Sequence, residues 1–202
     1  MDRIFLYGVK AKREFIVAFT FFYLVLFFGT ILGSVPFGTD PGFNVFRPLA
    51  ILSGKTAIIF FILTIAPGIG RRMGVSSKAL QFLMLFRRQL GLMVFYLVLF
   101  HLSTVWFLPS MKYLGTIFPL NRVQLVGGLA FIFLIPLFLT SNRWSVQKLG
   151  VWWKRIHSLV YIIAWLMFLH VAFQSSWLWA SIIGTAAVLE TISFIIPKKK
   201  SS

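Results

Sequence analysis

Three histidines carry most of the chemistry that this chain can offer: His101, His157 and His170. His101 and His170 lie inside long apolar runs, and an imidazole in hydrocarbon is costly unless a partner, a cofactor or a water path offsets its dehydration. Two imidazoles at similar depth on neighbouring helices can supply both axial positions of an iron porphyrin. Such an iron is six-coordinate and keeps no open site for oxygen or substrate, so its natural work is one-electron transfer. A zinc or copper site built on histidine would want a third or fourth ligand. The acids are only Asp2, Glu14, Asp40 and Glu190, and there is no cysteine, so these helices offer none. The same scarcity excludes a Ser–His–acid catalytic set, structural disulfides, iron–sulfur ligation and covalent heme attachment through CxxCH. The alternative reading of His101 and His170 is packing, with ring N–H groups bonded to backbone or to hydroxyls such as Ser103, Thr104 or Ser158.

The elements that must position these residues are membrane spans. The chain is 59% hydrophobic and 12% charged, a composition that a soluble domain of this size could not cover. About 20 apolar residues cross the roughly 30 Å of hydrocarbon, and six segments meet or approach that length: 15–35, 49–67, 90–108, 123–140, 156–174 and 177–196. The expected fold is therefore an all-α, six-transmembrane-helix bundle forming a single domain over 1–202. The fifth and sixth helices are joined by a very short turn at Ser175 and Ser176. The amino-terminal stretch lacks a short apolar core with a small-residue cleavage site, so no cleaved signal peptide is expected.

The net charge of +16 does not point to nucleic acid, because the cations fall in short clusters between apolar segments. Counted on alternate sides of six spans, 16 of the 20 Lys and Arg lie with both termini and 4 (Arg47, Lys55, Lys112 and Arg122) lie opposite. That asymmetry puts both termini in the cytoplasm. His101 then sits roughly 16 Å, and His170 roughly 21 Å, in from the cytoplasmic edge at about 1.5 Å per residue. His157 falls at the cytoplasmic edge beside Lys154 and Arg155. At about 100° per residue it points roughly 140° away from His170, so both could face one site only across a bend or bulge.

Other features have structural readings. Gly29 with Gly33, and Gly127 with Gly128, allow close helix approach or make room for a porphyrin edge. Pro136 is expected to kink the fourth span, and Trp144, Trp152, Trp153, Trp177 and Trp179 read as interfacial anchors. Glu190, near the inner end of the last span, reads as snorkelling or pairing with Lys198, Lys199 and Lys200 rather than as a proton relay. Arg87, Arg88, Lys154 and Arg155 form a topology signal that could also attract an anionic flavin or quinone headgroup. No GxGxxG or GKS/GKT loop is present, so the chain carries no reductase module of its own.

The run FRRQLGLMVFYLVLFHLSTVW (86–106) and the run LTSNRWSVQKLGVWWKRIHSLVYIIAWLMFLH (139–170) resemble the ferric-reductase-like transmembrane superfamily and, within it, the MsrQ (YedZ) heme-binding family. The similar pieces are RRxLG followed by a histidine in helix three, LTS closing helix four, and LGxxWKRIHxLVY leading to a second histidine in helix five. The resemblance implies a six-helix bundle holding b-type heme, with His101 and His170 as axial ligands and His157 as the family's additional helix-five histidine. It implies a quinone-linked subunit that passes electrons to a periplasmic molybdenum enzyme repairing oxidised methionine. Two-heme relatives, the NADPH oxidases and ferric reductases, need a further helix-three histidine at positions that here hold Arg88 and Arg87. One heme is therefore expected, and His157 is placed near heme propionates or the electron-receiving site.

The resulting expectation is a multi-pass inner-membrane electron-transfer subunit binding heme b. It takes electrons from the quinone pool or from a flavin reductase through quinone or FMN, and delivers them outward. A ferric or cupric ion reductase core working with a separate flavin reductase is the alternative, and a cofactor-free transporter or scaffold ranks third. Lipid is an expected partner and nucleic acid is not.

Overall fold

The computed structural model describes residues 12–34, 41–107 and 119–195. Among these the chain is all-helical. The elements in order are α1 (Lys12–Ser34), α2 (Pro41–Arg72), α3 (Lys78–Leu102) with a π-helical turn over Ser103–Phe107, α4 (Arg122–Leu139), the short α5 (Arg143–Leu149) and α6 (Val151–His157), α7 (Leu159–Phe173) and α8 (Trp177–Ile195). Five stretches are long and apolar enough to cross a membrane: Arg47–Arg72, Lys78–Phe107, Arg122–Leu139, Val151–Phe173 and Trp177–Ile195. This is a multi-pass membrane protein.

Local sequence sets the helix boundaries. Ser77 accepts from the Leu80 amide at 3.2 Å and starts α3. Asn121 and Gln124 close a reciprocal capping box on α4, each side chain accepting from the other's backbone amide at 2.9 and 3.0 Å. Asn142 caps α5 through the Ser145 amide. Ser175, at φ 57°, turns the chain between α7 and α8.

Several boundaries differ from those read in the sequence. The second helix was expected over 49–67, but α2 starts at Pro41 and passes through Pro48 and Pro67 to Arg72. A proline removes one backbone bond, whereas leaving the helix in hydrocarbon would orphan several. The third helix was expected from residue 90 but starts at Lys78, so Arg87 and Arg88 ride on it rather than precede it. Lys78–Phe107 spans 30 residues, about 45 Å at 1.5 Å per residue, which lets its basic end stand in the headgroup layer. The fifth span is interrupted at Ser158, between α6 and α7. Lys198, Lys199 and Lys200 lie outside the described residues.

The packing forms a closed ring: α2 on α3, α3 on α4, α4 on α7, α7 on α8, and α8 back on α2, with α1 outside against α3. Phe61, Ile65, Val94, Ile163, Ala164, Ile183 and Ala187 fill its middle. Small residues bring helices close where no hydrophobic drive between them exists. At Gly184 of α8, an added Cβ would come within 2.9 Å of the Phe168 ring on α7. Tyr23 of α1 donates to the Gln89 carbonyl at 2.6 Å and stacks on Tyr96 at 5.1 Å, fixing α1 to α3.

Candidate functional site: a histidine pair seated on glycines

His101, near the end of α3, and His170, near the end of α7, meet inside the ring. Their ring centres are 6.4 Å apart and their planes are perpendicular. Each imidazole is seated in the same way on a different neighbouring helix. His101 Nδ1 lies 2.8 Å from the Ala50 carbonyl oxygen on α2, and His170 Nδ1 lies 3.0 Å from the Val123 carbonyl oxygen on α4. Four residues after each carbonyl comes a glycine whose missing side chain makes the room. A Cβ at Gly54 would fall 2.8 Å from His101 Nδ1, and one at Gly127 would fall 2.6 Å from His170 Nδ1.

These bonds decide the tautomers. A carbonyl can only accept, so each Nδ1 carries the proton and each Nε2 keeps its lone pair. That is the arrangement in which metal-bound histidines are ordinarily held, with the second nitrogen donating to backbone or carboxylate. On the His170 side the Gln174 amide lies 2.9 Å from Nε2 and donates to it, so metal ligation there requires that amide to turn aside. Among the described residues no group of three or more His, Cys, Asp or Glu comes together. The pair therefore suits a metal that brings its other ligands with it.

His157 lies elsewhere. Its Nε2 is 3.1 Å from Thr140 Oγ1 and its ring stacks on Trp153 at 4.1 Å. Trp153 in turn donates to the Thr140 carbonyl at 3.0 Å, so it serves as a partner of the α4 end rather than only as an interfacial anchor. The arginines separate as well. Arg155 stacks on Trp152 at 4.7 Å, Arg88 is exposed, and Arg87 lies within electrostatic reach of His157, Tyr161, Glu190 and Arg72.

Glu190 corrects an expectation. It is buried, not snorkelling, and its Oε1 pairs with Arg72 at 2.8 Å. Arg72 also donates to Ser193 at 2.8 Å and lies over the Phe194 ring at 4.1 Å. The carboxylate is shut off from water, and the half-buried Arg72 at the end of α2 supplies the opposite charge that it needs. Glu190 borders a groove of about 270 Å³ between α7 and α8, lined also by Tyr161, Trp165 and Phe194. The sequence did not single out this pair, since its members lie 118 positions apart.

The comparisons with known proteins bear on this geometry. The family model described as "Ferric reductase like transmembrane component" matches residues 53–168, a stretch that includes Gly54, His101, Gly127 and His157. The chain belongs to this family. Among curated relatives, "Protein-methionine-sulfoxide reductase heme-binding subunit MsrQ" of Rhizobium meliloti is 35% identical over 154 residues, 74% of this chain and 67% of that protein. The MsrQ of Agrobacterium fabrum is 44% identical over 91 residues, 44% of this chain and 42% of that protein. That of Brucella ovis is 36% identical over 129 residues, 62% and 54% respectively. The chain thus spans between 42% and 67% of the length of these relatives. No solved structure matches. The chain is a ferric-reductase-like protein of the MsrQ type.

Proposed function

We propose that this protein is an inner-membrane electron-transfer subunit that binds one heme b between His101 and His170. The paired glycine seat carries this reading. Two metal–imidazole bonds of about 2.0–2.1 Å, with about 1.2 Å from each nitrogen to its ring centre, separate two ring centres by a little over 6 Å. The observed separation is 6.4 Å, so the residues fit the group. The heme would supply reversible one-electron chemistry. The chain's own part is to ligate through two Nε2 atoms, to fix both tautomers through Ala50 and Val123, and to keep water out with the ring's apolar core.

The proposal includes six spans, α1 being the sixth, with both termini in the cytoplasm. Electrons would arrive near the inner end from the quinone pool or a flavin reductase. The groove beside Glu190 favours a lipid-borne donor such as a quinol, since Trp165 on its wall is five residues, about 7.5 Å of helix, before His170. Arg87, Arg88 and Arg155 are the candidates for anionic groups on that side, and His157 is a second-site or electron-receiving candidate. The acceptor would be an extracytoplasmic methionine-sulfoxide reductase, in keeping with the names of the relatives.

The test is the reduced-minus-oxidised spectrum of protein purified from a heme-replete host. Bands of b-type with one heme per chain are expected, and their loss in His101→Ala and in His170→Ala. Heme-free wild-type protein overturns the reading. A second reading, a ferric or cupric ion reductase core, is favoured by the description of the matching family. Reduction of ferric chelates by the reconstituted protein without a partner enzyme would select it.

A further inference from the structure

Among the described residues two buried hydrogen-bond donors that closely follow His101 in the chain have no acceptor: Thr104 Oγ1 and Trp106 Nε1. Both stand on the π-helical turn Ser103–Phe107 that begins two residues after His101. Among the described threonine side chains the hydroxyl's isolation is peculiar to this turn. Thr20, Thr56, Thr64, Thr140, Thr185 and Thr191 each donate to the carbonyl four residues back, at 2.7 to 2.9 Å. Thr104, only 3% exposed, does not. A π turn shifts the backbone register and so withdraws the acceptor that an α-helix offers a threonine, and such turns recur at functional sites. Leaving two donors unpaired in a membrane interior is unfavourable unless something else accepts from them.

The surroundings of the Trp106 ring narrow what that acceptor is. The outer edge of the Trp106 ring packs on Gly128 of α4, where an added Cβ would meet it at 3.7 Å. Gly128 adjoins Gly127, the seat of His170. The Trp106 ring thus reaches from the end of α3 to α4 beside the second histidine's seat, and Thr104 stands between Trp106 and His101 in sequence. The protein supplies no carboxylate here among the described residues. Glu190 is tied to Arg72, which is 18 residues, about 27 Å of helix, beyond Gly54 on α2. Glu14 precedes Phe15, which packs on Phe82 and Phe86 at the far end of α3. The charges near the pair are positive: Arg47, three residues before Ala50, and Arg122, one residue before Val123. An acceptor for these donors therefore comes with the ligand, and the local charge favours an anion.

We propose that Thr104 and Trp106 bind the carboxylate side groups of the porphyrin held by His101 and His170, so that those groups face the outer end of the bundle and not His157, the neighbour that the sequence alone suggested for them. The inference rests on the heme reading and adds to it an orientation and two residues. Two donors for a two-carboxylate ligand also explain why a π turn stands at this point of α3.

The test compares two porphyrins on the full chain purified heme-free and titrated in detergent: heme b and iron etioporphyrin, which carries alkyl groups only and so has no side-group acceptor. The variants are Thr104→Val, Trp106→Phe and, as a conservative control, Thr104→Ser. Each of the first two should weaken heme b binding by about tenfold, the scale of a lost hydrogen bond to a charged group. Both should bind iron etioporphyrin as the wild type does, and Thr104→Ser should bind heme b as the wild type does. Equal losses for both porphyrins, or no loss for heme b, would overturn the proposal, as would a Thr104→Ser as weak as Thr104→Val. Wild-type protein that takes up neither porphyrin refutes the heme reading instead, and the two failures are thereby distinct.

Discussion

At the scale of single residues the glycine seats make the sharpest demands. A methyl group at Gly54 or Gly127 would sit 2.8 or 2.6 Å from a ring nitrogen, closer than van der Waals contact, with helix backbone behind it. The imidazole must then leave its carbonyl. Gly54→Ala and Gly127→Ala are therefore expected to weaken heme binding by about 10- to 100-fold, as loss of an outer-sphere partner of a metal-bound histidine does. Gly91→Ala, whose methyl would meet Thr64 only at 4.0 Å, should titrate like the wild type. Heme titration of the three variants checks this, and equal behaviour of all three would remove the seats from the account. His157→Phe should keep the b-type spectrum, since that ring is occupied with Thr140 and Trp153. The histidines were legible in the sequence because imidazoles in apolar runs are rare. The seats were not: Ala50 and Val123 act through backbone carbonyls, which carry no residue signature, and they lie 51 and 47 positions from the rings they hold.

At the scale of helices, the buried pair Arg72–Glu190 ties the end of α2 to α8 and closes the ring. Removing Arg72 leaves the Glu190 carboxylate buried and unpaired, so Arg72→Met should destabilise the protein by about 3–5 kcal/mol. The double variant Arg72→Met with Glu190→Leu should recover most of that loss, because no orphan charge remains. Thermal unfolding in detergent followed by circular dichroism measures both. A double variant no more stable than Arg72→Met would show that the pair is not what joins the two helices. Hydropathy located α4 and α8 to within a residue or so, since their ends coincide with caps and turns. It misplaced the start of α3 and both ends of α2. Arg87, Arg88, Pro48 and Pro67 look like boundaries in sequence, yet a helix in a membrane tolerates them when stopping would expose more backbone.

At the scale of the molecule, membrane topology decides where electrons can enter and leave. If α1 crosses the membrane, Lys and Arg divide as 16 against 4. If it lies on the surface instead, Arg3, Lys10, Lys12 and Arg13 move to the outer side, and the division becomes 16 − 4 = 12 against 4 + 4 = 8. The stronger asymmetry is the one that insertion favours, so the expected arrangement is six spans, which would put the histidine pair in the outer half and the Glu190 groove on the inner side. The chain has no cysteine, so single cysteines report sidedness without background. Lys12→Cys, Ser76→Cys and Lys148→Cys, all at exposed positions, should resist a membrane-impermeant maleimide in intact cells and react after permeabilisation. Arg122→Cys, also exposed, should react in both. Lys12→Cys is the discriminating site: labelling it in intact cells, with Ser76→Cys protected, would mean five spans and an amino terminus outside. Protection of Lys12→Cys together with Ser76→Cys leaves six spans, with the amino terminus in the cytoplasm.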